Sequence, residues 1–131
     1  MALSNIVSPN ESLGRYLTDK NYFSRMNKEV KFKAFMPPLD KCLSVYRIDG
    51  LQLDEIWDIG QNMVVLAMPQ PRKLYGVADI KAGIVEREKL EIDPDDVPPR
   101  HANIIGWPED QAQQMSIAQG LAAEAILVLK E

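Results

Sequence analysis

Proline residues divide this chain into short segments, and that division limits the fold more than any other feature of the sequence. Proline breaks the interior of a helix and is excluded from central strands. The nine prolines are Pro9, Pro37, Pro38, Pro69, Pro71, Pro94, Pro98, Pro99 and Pro108. The segments between them carry both strand and helix patterns, so the sequence predicts a single α+β domain over residues 1–131.

The composition excludes several classes of protein. With 131 residues, of which 46% are hydrophobic, the chain is long enough to bury a core without a metal or a disulfide. It has one cysteine and one histidine, Cys42 and His101. These numbers exclude an internal disulfide and every zinc site built from several Cys and His ligands. We therefore expect no metal and no cofactor, and we expect Cys42 to be an inert core thiol.

The sequence carries no signal for a membrane or for secretion. It has no apolar stretch of about 18 residues, so no transmembrane helix is predicted. The first residues lack the basic and apolar regions of a signal peptide. A cytoplasmic location is therefore expected.

The net charge of −4 is unevenly distributed. Residues 1–50 contain 8 Lys or Arg against 5 Asp or Glu, whereas residues 51–131 contain 7 against 14. Nonspecific binding to nucleic acid depends mainly on neutralising phosphates, so nucleic acid is not an expected partner. The acidic second part suits solubility or contact with a basic partner protein.

The predicted elements begin with a helical segment over residues 1–29. Ser8, Pro9 and Glu11 have the order of a helix start with a capping box. The side chains expected on one face of this helix are Leu13, Tyr16 and Leu17.

Short apolar or alternating runs predict a mainly antiparallel sheet of four to five strands. The runs are 30–36, 42–48, 63–68, 74–80 and 101–105. Gly76 is expected to mark a bulge or a close approach of another backbone. Residues 93–99 are predicted to be an acidic, proline-rich loop, and the charged segment 83–91 suits either a short helix or an edge hairpin.

Two further helices are predicted. One is short, with Asp49 as its N-cap and Gly60 as its left-handed terminator. The other is the long C-terminal helix over 108–129, packed on one face of the sheet. A stripe of small side chains on this helix suggests close packing, either with the domain's own sheet or with a protein partner or second copy. The stripe consists of Ser116, Gly120 and Ala123.

The residues most suggestive of chemistry follow the Pro98-Pro99 pair. Arg100 supplies a fixed cation that binds phosphate or carboxylate, His101 a general base, and Asn103 an amide. On a strand, His101 and Asn103 share one face and Arg100 takes the other. Asp79 is a candidate to orient His101. In the structural alternative, His101 bonds a loop carbonyl and Arg100 pairs with an acidic residue, the choices being Asp93, Asp95 and Asp96.

Arg47 is a second candidate for ligand binding, because it ends a predicted strand. The alternative is a salt bridge from Arg47 to Asp79 or Glu55 that fixes the strand. No serine elbow, phosphate-binding glycine loop or calcium-loop pattern is present in the sequence.

Four strings resemble small bacterial hypothetical proteins of unknown function, over about residues 30–110. They are Leu43-Ser44-Val45-Tyr46-Arg47, Glu55-Ile56-Trp57, Leu74-Tyr75-Gly76-Val77-Ala78-Asp79 and Pro98-Pro99-Arg100-His101-Ala102-Asn103-Ile104. The resemblance implies a bacterial, single-domain, cytosolic protein and brings no activity with it.

The expected function is a non-enzymatic protein-interaction module, such as an adaptor or an immunity-like or antitoxin-like protein. Two observations support this expectation: the sequence lacks catalytic motifs, and the second part of the chain is acidic. The alternative is a small enzyme or ligand-binding domain that uses Arg100 and His101 on a phosphorylated or carboxylated small molecule.

Overall fold

The computed structural model describes residues 4–70 and 72–130. Residues 1–3, 71 and 131, which belong to the predicted domain, lie outside the described residues, as do the first three residues of the predicted segment 1–29. The described strands are β1 (Ser12–Leu17), β2 (Phe23–Ser24), β3 (Glu29–Val30), β4 (Leu43–Arg47), β5 (Gly76–Lys81), β6 (Glu91–Pro94), β7 (His101–Ile105) and β8 (Ile126–Leu129). The described helices are α1 (Leu53–Ile59), α2 (Ala82–Arg87) and α3 (Gln111–Glu124), with a π-helical segment at Gly60–Val65 and 3-10 turns at Lys20–Tyr22 and Phe32–Phe35.

The fold is α+β, with a six-stranded sheet in the order β6-β7-β4-β1-β5-β8. Every neighbouring pair in this sheet is antiparallel, and β2 and β3 form a separate two-stranded hairpin. The antiparallel architecture is confirmed, but the predicted count of four to five strands is wrong. Strands β4, β5 and β7 coincide with predicted strands, whereas β1 and β8 lie where helix was predicted.

The sheet separates two apolar cores. The larger core contains Leu13, Leu17, Leu43, Val45, Ala78, Ile80, Ala102 and Ile104 from the sheet, together with Phe35, Val85, Ala118, Leu121 and other residues of the turns and helices. The smaller core contains Tyr16, Tyr46, Ile48, Ile56, Val65, Leu74 and Val77. Burial of these side chains is the main driving force for the fold.

The N-terminal helix prediction is wrong because β1 lies in the centre of the sheet. Leu13 and Leu17 enter the larger core, while Tyr16 enters the smaller one. A strand that is buried on both faces carries apolar residues without strict alternation, so its spacing also fits a helix face. Glu11 caps no helix, and its carboxylate binds Arg47 instead.

The strand predicted at 30–36 is mostly a 3-10 turn. After β3, the turn Phe32–Phe35 buries Ala34 and Phe35 in the larger core. The guanidinium of Arg15 donates from Nε to the Ala34 carbonyl at 2.7 Å, and burial lowers the pKa of Arg15. The packing of this turn therefore overrides the alternating pattern of the sequence.

The strand predicted at 63–68 is also wrong, because α1 continues directly into the π-helical segment. Gly60 has a right-handed φ of −60° and so does not terminate the helix. A Cβ added there would lie 2.7 Å from the ring of Tyr16, so glycine allows close packing. The N-cap is Gln52, in a capping box with Glu55, whereas Asp49 accepts a hydrogen bond from the Ser12 amide at 3.1 Å.

The C-terminal helix is shorter than the predicted 108–129. It begins after Asp110, whose carboxylate accepts from the Gln113 amide, and ends at Ala125, where the backbone becomes extended. Residues Ile126–Leu129 then form β8 beside β5. A Cβ on Gly76 would overlap the carbonyl oxygen of Val128, so the predicted close approach of a backbone at Gly76 is confirmed.

The segment 83–91 is divided between α2 and the start of β6. The predicted loop 93–99 begins inside β6, because Asp93 and Pro94 pair with β7. None of the helices in residues 4–70 and 72–130 has the length and apolar character that a membrane crossing requires.

Candidate functional site

His101 joins three other polar side chains at the start of β7. Its Nδ1 lies 2.7 Å from Asp95 Oδ1, and its Nε2 lies 2.6 Å from Ser44 Oγ. The side-chain amide of Asn103 donates to the other Asp95 oxygen at 3.2 Å. We call Ser44, Asp95, His101 and Asn103 the His101 cluster.

Strand alternation brings the members of the His101 cluster to one face of the sheet. Ala102 and Ile104 are fully buried in the larger core, so His101 and Asn103 point to the opposite face. The same alternation on β4 places Ser44 on that face, directly across from Asn103. The prediction that His101 and Asn103 share a face is therefore confirmed.

The electrostatics of the cluster keep Asp95 ionised. Burial acts to raise the pKa of Asp95, but hydrogen bonds from His101, from the Val97 amide and from Asn103 outweigh it, so the pKa is lowered. A carboxylate only accepts hydrogen bonds, and His101 therefore donates through Nδ1–H. In the neutral imidazole the lone pair is then on Nε2, where the Ser44 hydroxyl donates its proton.

Arg100 does not turn its guanidinium toward His101. It has a left-handed φ of 75°, and its amide donates to Asp96 Oδ1 at 2.8 Å. Its Nη1 donates to the Arg47 carbonyl at 3.0 Å. The predicted pairing of Arg100 with an acidic residue is therefore made by its backbone and not by its side chain.

Arg47 is buried, and its guanidinium is bonded within the described part of the chain. Its guanidinium binds Glu11 through two contacts, Nε to Oε2 at 2.6 Å and Nη2 to Oε1 at 2.9 Å. The predicted salt bridge to Asp79 or Glu55 is therefore wrong, because Glu11 immediately precedes β1 beside Arg47. The hydrogen bond with Glu11 is the main reason that the pKa of Arg47 is raised.

Asp79 cannot orient His101, because β1 and β4 lie between their two strands. Neighbouring strands are about 4.8 Å apart, so three strand spacings separate β5 from β7. Asp79 Oδ1 is buried, and within the described part of the chain it has no hydrogen-bond partner.

The small-residue stripe on α3 is only partly covered. Ser116 and Ala123 are exposed, and Gly120 is half-buried. A Cβ on Gly120 would lie 3.1 Å from Glu88 Oε2, so the residue that packs against Gly120 is Glu88, which follows α2. The close contact at Gly120 is therefore made by the C-cap residue of α2 and not by the sheet.

A feature that the sequence did not reveal is the open edge of the sheet at β8. Lys130 donates its amide to the Tyr75 carbonyl, and backbone groups alternate in direction along a strand. Ile126 and Val128 therefore face β5, while the amides and carbonyls of Leu127 and Leu129 point away from it. The sequence pattern concealed this edge because these residues continue the apolar spacing of the preceding helix.

A cavity of about 470 Å³ adjoins the β8 edge. It is lined by Arg25, Lys28, Leu127, Val128 and Leu129, so two basic side chains of the β2–β3 hairpin border three apolar residues of β8. We call these five residues the β8 groove.

The structure offers no dedicated metal site in the residues that it describes. No group of three or more His, Cys, Asp or Glu side chains there is arranged to hold an ion. Searches against protein families, curated proteins and solved structures found no significant match to this chain.

Proposed function

We propose that this chain is a protein-interaction module that binds an extended segment of a partner protein alongside β8. The observation that carries the proposal is that, among the described residues, β8 is the last strand of the sheet and no further strand pairs with its outer side. A binding role of this kind is what an adaptor, an immunity protein or an antitoxin of the bacterial cytosol performs.

The contrast between the two edges of the sheet supports this proposal. Edge strands are usually protected from pairing by charged residues, by proline or by bulges. The β6 edge has such protection in Glu91, Asp93 and Pro94. The β8 edge consists of Ile126-Leu127-Val128-Leu129 and has neither charge nor proline.

Backbone pairing would supply the affinity of such a complex. The outward amides and carbonyls of Leu127 and Leu129 can pair with an added strand, as in other complexes formed by strand addition. The added strand would also cover apolar surface of the β8 groove. Pairing at this edge leaves the hydrogen bonds between β5 and β8 unchanged.

The charge of the β8 groove favours an acidic partner segment. Lys28 borders the groove, and complementary charge favours the encounter of two surfaces. A second copy of this chain pairing through β8 would bring the same basic side chains together, which is unfavourable. The proposed occupant is therefore an extended apolar segment that carries acidic residues.

A synthetic peptide of alternating valine and threonine with glutamate at both ends tests this proposal. We expect saturable binding by fluorescence anisotropy, weakened about tenfold by Lys28→Glu, which corresponds to about 1.4 kcal/mol. Lys20→Glu makes the same charge change on an exposed lysine outside the groove and should leave the affinity unchanged. Leu127→Pro removes one outward amide and should abolish binding.

Three outcomes would overturn the proposal. One is absence of binding to the folded protein, and another is equal weakening by Lys28→Glu and Lys20→Glu. The third is a dimer, detected by sedimentation without peptide, that Leu127→Pro converts to a monomer. That result would assign the β8 edge to a second copy of the chain.

A further inference from the structure

Beyond partner binding, we propose that Ser44, His101 and Asp95 form a nucleophilic site that hydrolyses a small uncharged ester. The two hydrogen bonds of His101, 2.6 Å to Ser44 Oγ and 2.7 Å to Asp95 Oδ1, link a hydroxyl, an imidazole and a carboxylate in that order. The same order activates the nucleophile of serine hydrolases on unrelated folds. Such a site is recognised by geometry and not by sequence position.

The direction of the hydrogen bonds suits nucleophilic attack. Because Asp95 accepts from Nδ1–H, the neutral form of the imidazole has its lone pair on Nε2. The Ser44 hydroxyl donates to that lone pair, so His101 is placed as a general base for Ser44.

The imidazole of His101 is held in place before any substrate binds. Asp95 is fixed by the Val97 amide at 3.3 Å and by the Asn103 side chain. The ring of Tyr46 meets the imidazole edge-on, with 5.2 Å between ring centroids. A catalytic group that is fixed in this way loses little entropy when the reaction begins.

Asn103 is the best-placed donor for a developing oxyanion. The Ser44 amide faces β1, because the Arg47 amide pairs with the Arg100 carbonyl of the β7 side and backbone groups alternate along β4. Ser44 and Asn103 therefore form a non-hydrogen-bonded pair, in which side chains approach closely. The Asn103 amide donates one N–H to Asp95, and its second N–H can stabilise an oxyanion beside Ser44.

The surroundings of the cluster define the substrate class. The side chain of His101 is 12% exposed and that of Asp95 39% exposed, and Ser44 and Asn103 are half-buried, so the cluster lies at the protein surface. Asp93 is exposed on β6 and lies opposite Asn103, and the Arg100 guanidinium is bonded to the Arg47 carbonyl. The acidic surroundings disfavour phosphorylated or carboxylated ligands and favour an uncharged acyl donor.

The proposed reaction balances with water as the second reactant. Ser44 Oγ bonds to the carbonyl carbon of the ester while its proton passes to His101 Nε2. The bond to the leaving oxygen breaks, and that oxygen takes the proton from Nε2 and departs as an alcohol. Water then attacks the acyl carbon and gives a proton to Nε2, and Ser44 regains a proton as the carboxylic acid leaves.

The test uses 4-nitrophenyl acetate and the whole 131-residue chain. Intact mass spectrometry should detect one added acetyl group, and peptide mapping should place it on Ser44. The initial release of nitrophenolate should fall about 100-fold or more in His101→Gln and in Asp95→Asn, the usual loss when general-base catalysis is removed. Asn103→Ala should lower it about 100-fold, as expected for one oxyanion donor.

Ser116→Ala is the matched control, because Ser116 is an exposed serine on α3 outside the cluster; it should leave the rate unchanged. Circular dichroism of each variant confirms that it is folded, and Asp95→Asn alters a partly exposed side chain. Acetylation confined to lysines or to other serines of the folded protein would overturn the proposal. Acetylation of Ser44 at an equal rate in wild type and Asp95→Asn would also overturn it.

Discussion

Replacing Glu11 with glutamine should strongly destabilise the protein, because it removes the charge that balances a buried arginine. Arg47 is only 5% exposed. Its guanidinium makes two hydrogen bonds to Glu11 and others to the Ser4 and Ile6 carbonyls. Glutamine has nearly the shape of glutamate but keeps no charge and only one acceptor oxygen, so a buried cation is left without its counter-ion.

The expected loss of unfolding free energy for Glu11→Gln is about 3 kcal/mol, at the low end for breaking a buried ion pair. Domains of this size have a total stability of about 5–15 kcal/mol, so the change removes a large fraction of it. Arg47→Met should also destabilise, since it leaves Glu11 without its partner. The double variant Glu11→Leu/Arg47→Met should lose less than the sum of the single changes, because two contacting residues are coupled.

Urea unfolding at neutral pH, followed by circular dichroism and tryptophan fluorescence, measures these differences. Glu109→Gln is the matched control, because the Glu109 side chain is 89% exposed in its ion pair with Lys41. Exposed pairs contribute about 0–1 kcal/mol, so this variant should resemble wild type. The reasoning is refuted if Glu11→Gln and Glu109→Gln unfold at the same urea concentration.

Three further predictions concern the sheet edge and the His101 cluster. Gly76→Ala should cost about 1–3 kcal/mol in urea unfolding, because the added Cβ overlaps the Val128 carbonyl oxygen and overpacking is destabilising. The amide of Leu127 should exchange with deuterium much faster than that of Val128, since only the latter faces β5. Asp95→Asn should destabilise the protein at neutral pH, and this difference should shrink on acidification. The reason is that the pKa of Asp95 is lower in the folded protein than in the unfolded chain. The ionised carboxylate therefore stabilises the folded protein at pH values above the unfolded-state pKa, about 3.9. This stabilisation is lost as the pH falls through the folded-state pKa.

Each of these predictions has a contrary result. Wild-type stability in Gly76→Ala would mean that β8 moves away from β5 without cost. Equal exchange of Leu127 and Val128 would mean that the β8 edge is paired or that β8 is frayed. A difference between wild type and Asp95→Asn that is constant from neutral pH to pH 2 would contradict the role of the Asp95 charge.

The strands that the sequence predicted correctly are those whose side chains match strand propensity and whose ends are marked. Strand β4 has β-branched and aromatic residues, and β7 follows the Pro98-Pro99 pair. Strand β8 was concealed because Ala125, Ile126 and Leu129 continue the helical spacing of α3 with no glycine or proline to mark its end. The extended backbone at Ala125 is set by the pairing of β8 with β5, which is a tertiary effect that no local pattern records.

The candidate site was predictable only in part. Sequence patterns identified His101 and Asn103 and placed them on one face, because alternation along a strand is a local property. Ser44 carried no signal, since it is 57 positions from His101 and a single serine in a strand has no motif around it. Asp95 was one of three acidic residues in the 93–99 segment. Only the path of the chain after β6 determines that Asp95 is the one that bonds His101.

The central position of β1 has a consequence for how the chain folds. Leu13 pairs with Arg47 on one side and with Ile80 on the other, so the earliest strand in the sequence has no complete set of neighbours until β5 has been synthesised. Until then Leu13 and Leu17 have no finished core to enter. Contacts between distant positions slow folding, because the entropy of closing long loops is lost before the contacts form. We expect folding to begin only after most of the chain has left the ribosome, with the two strands beside β1 joining it in a single cooperative step.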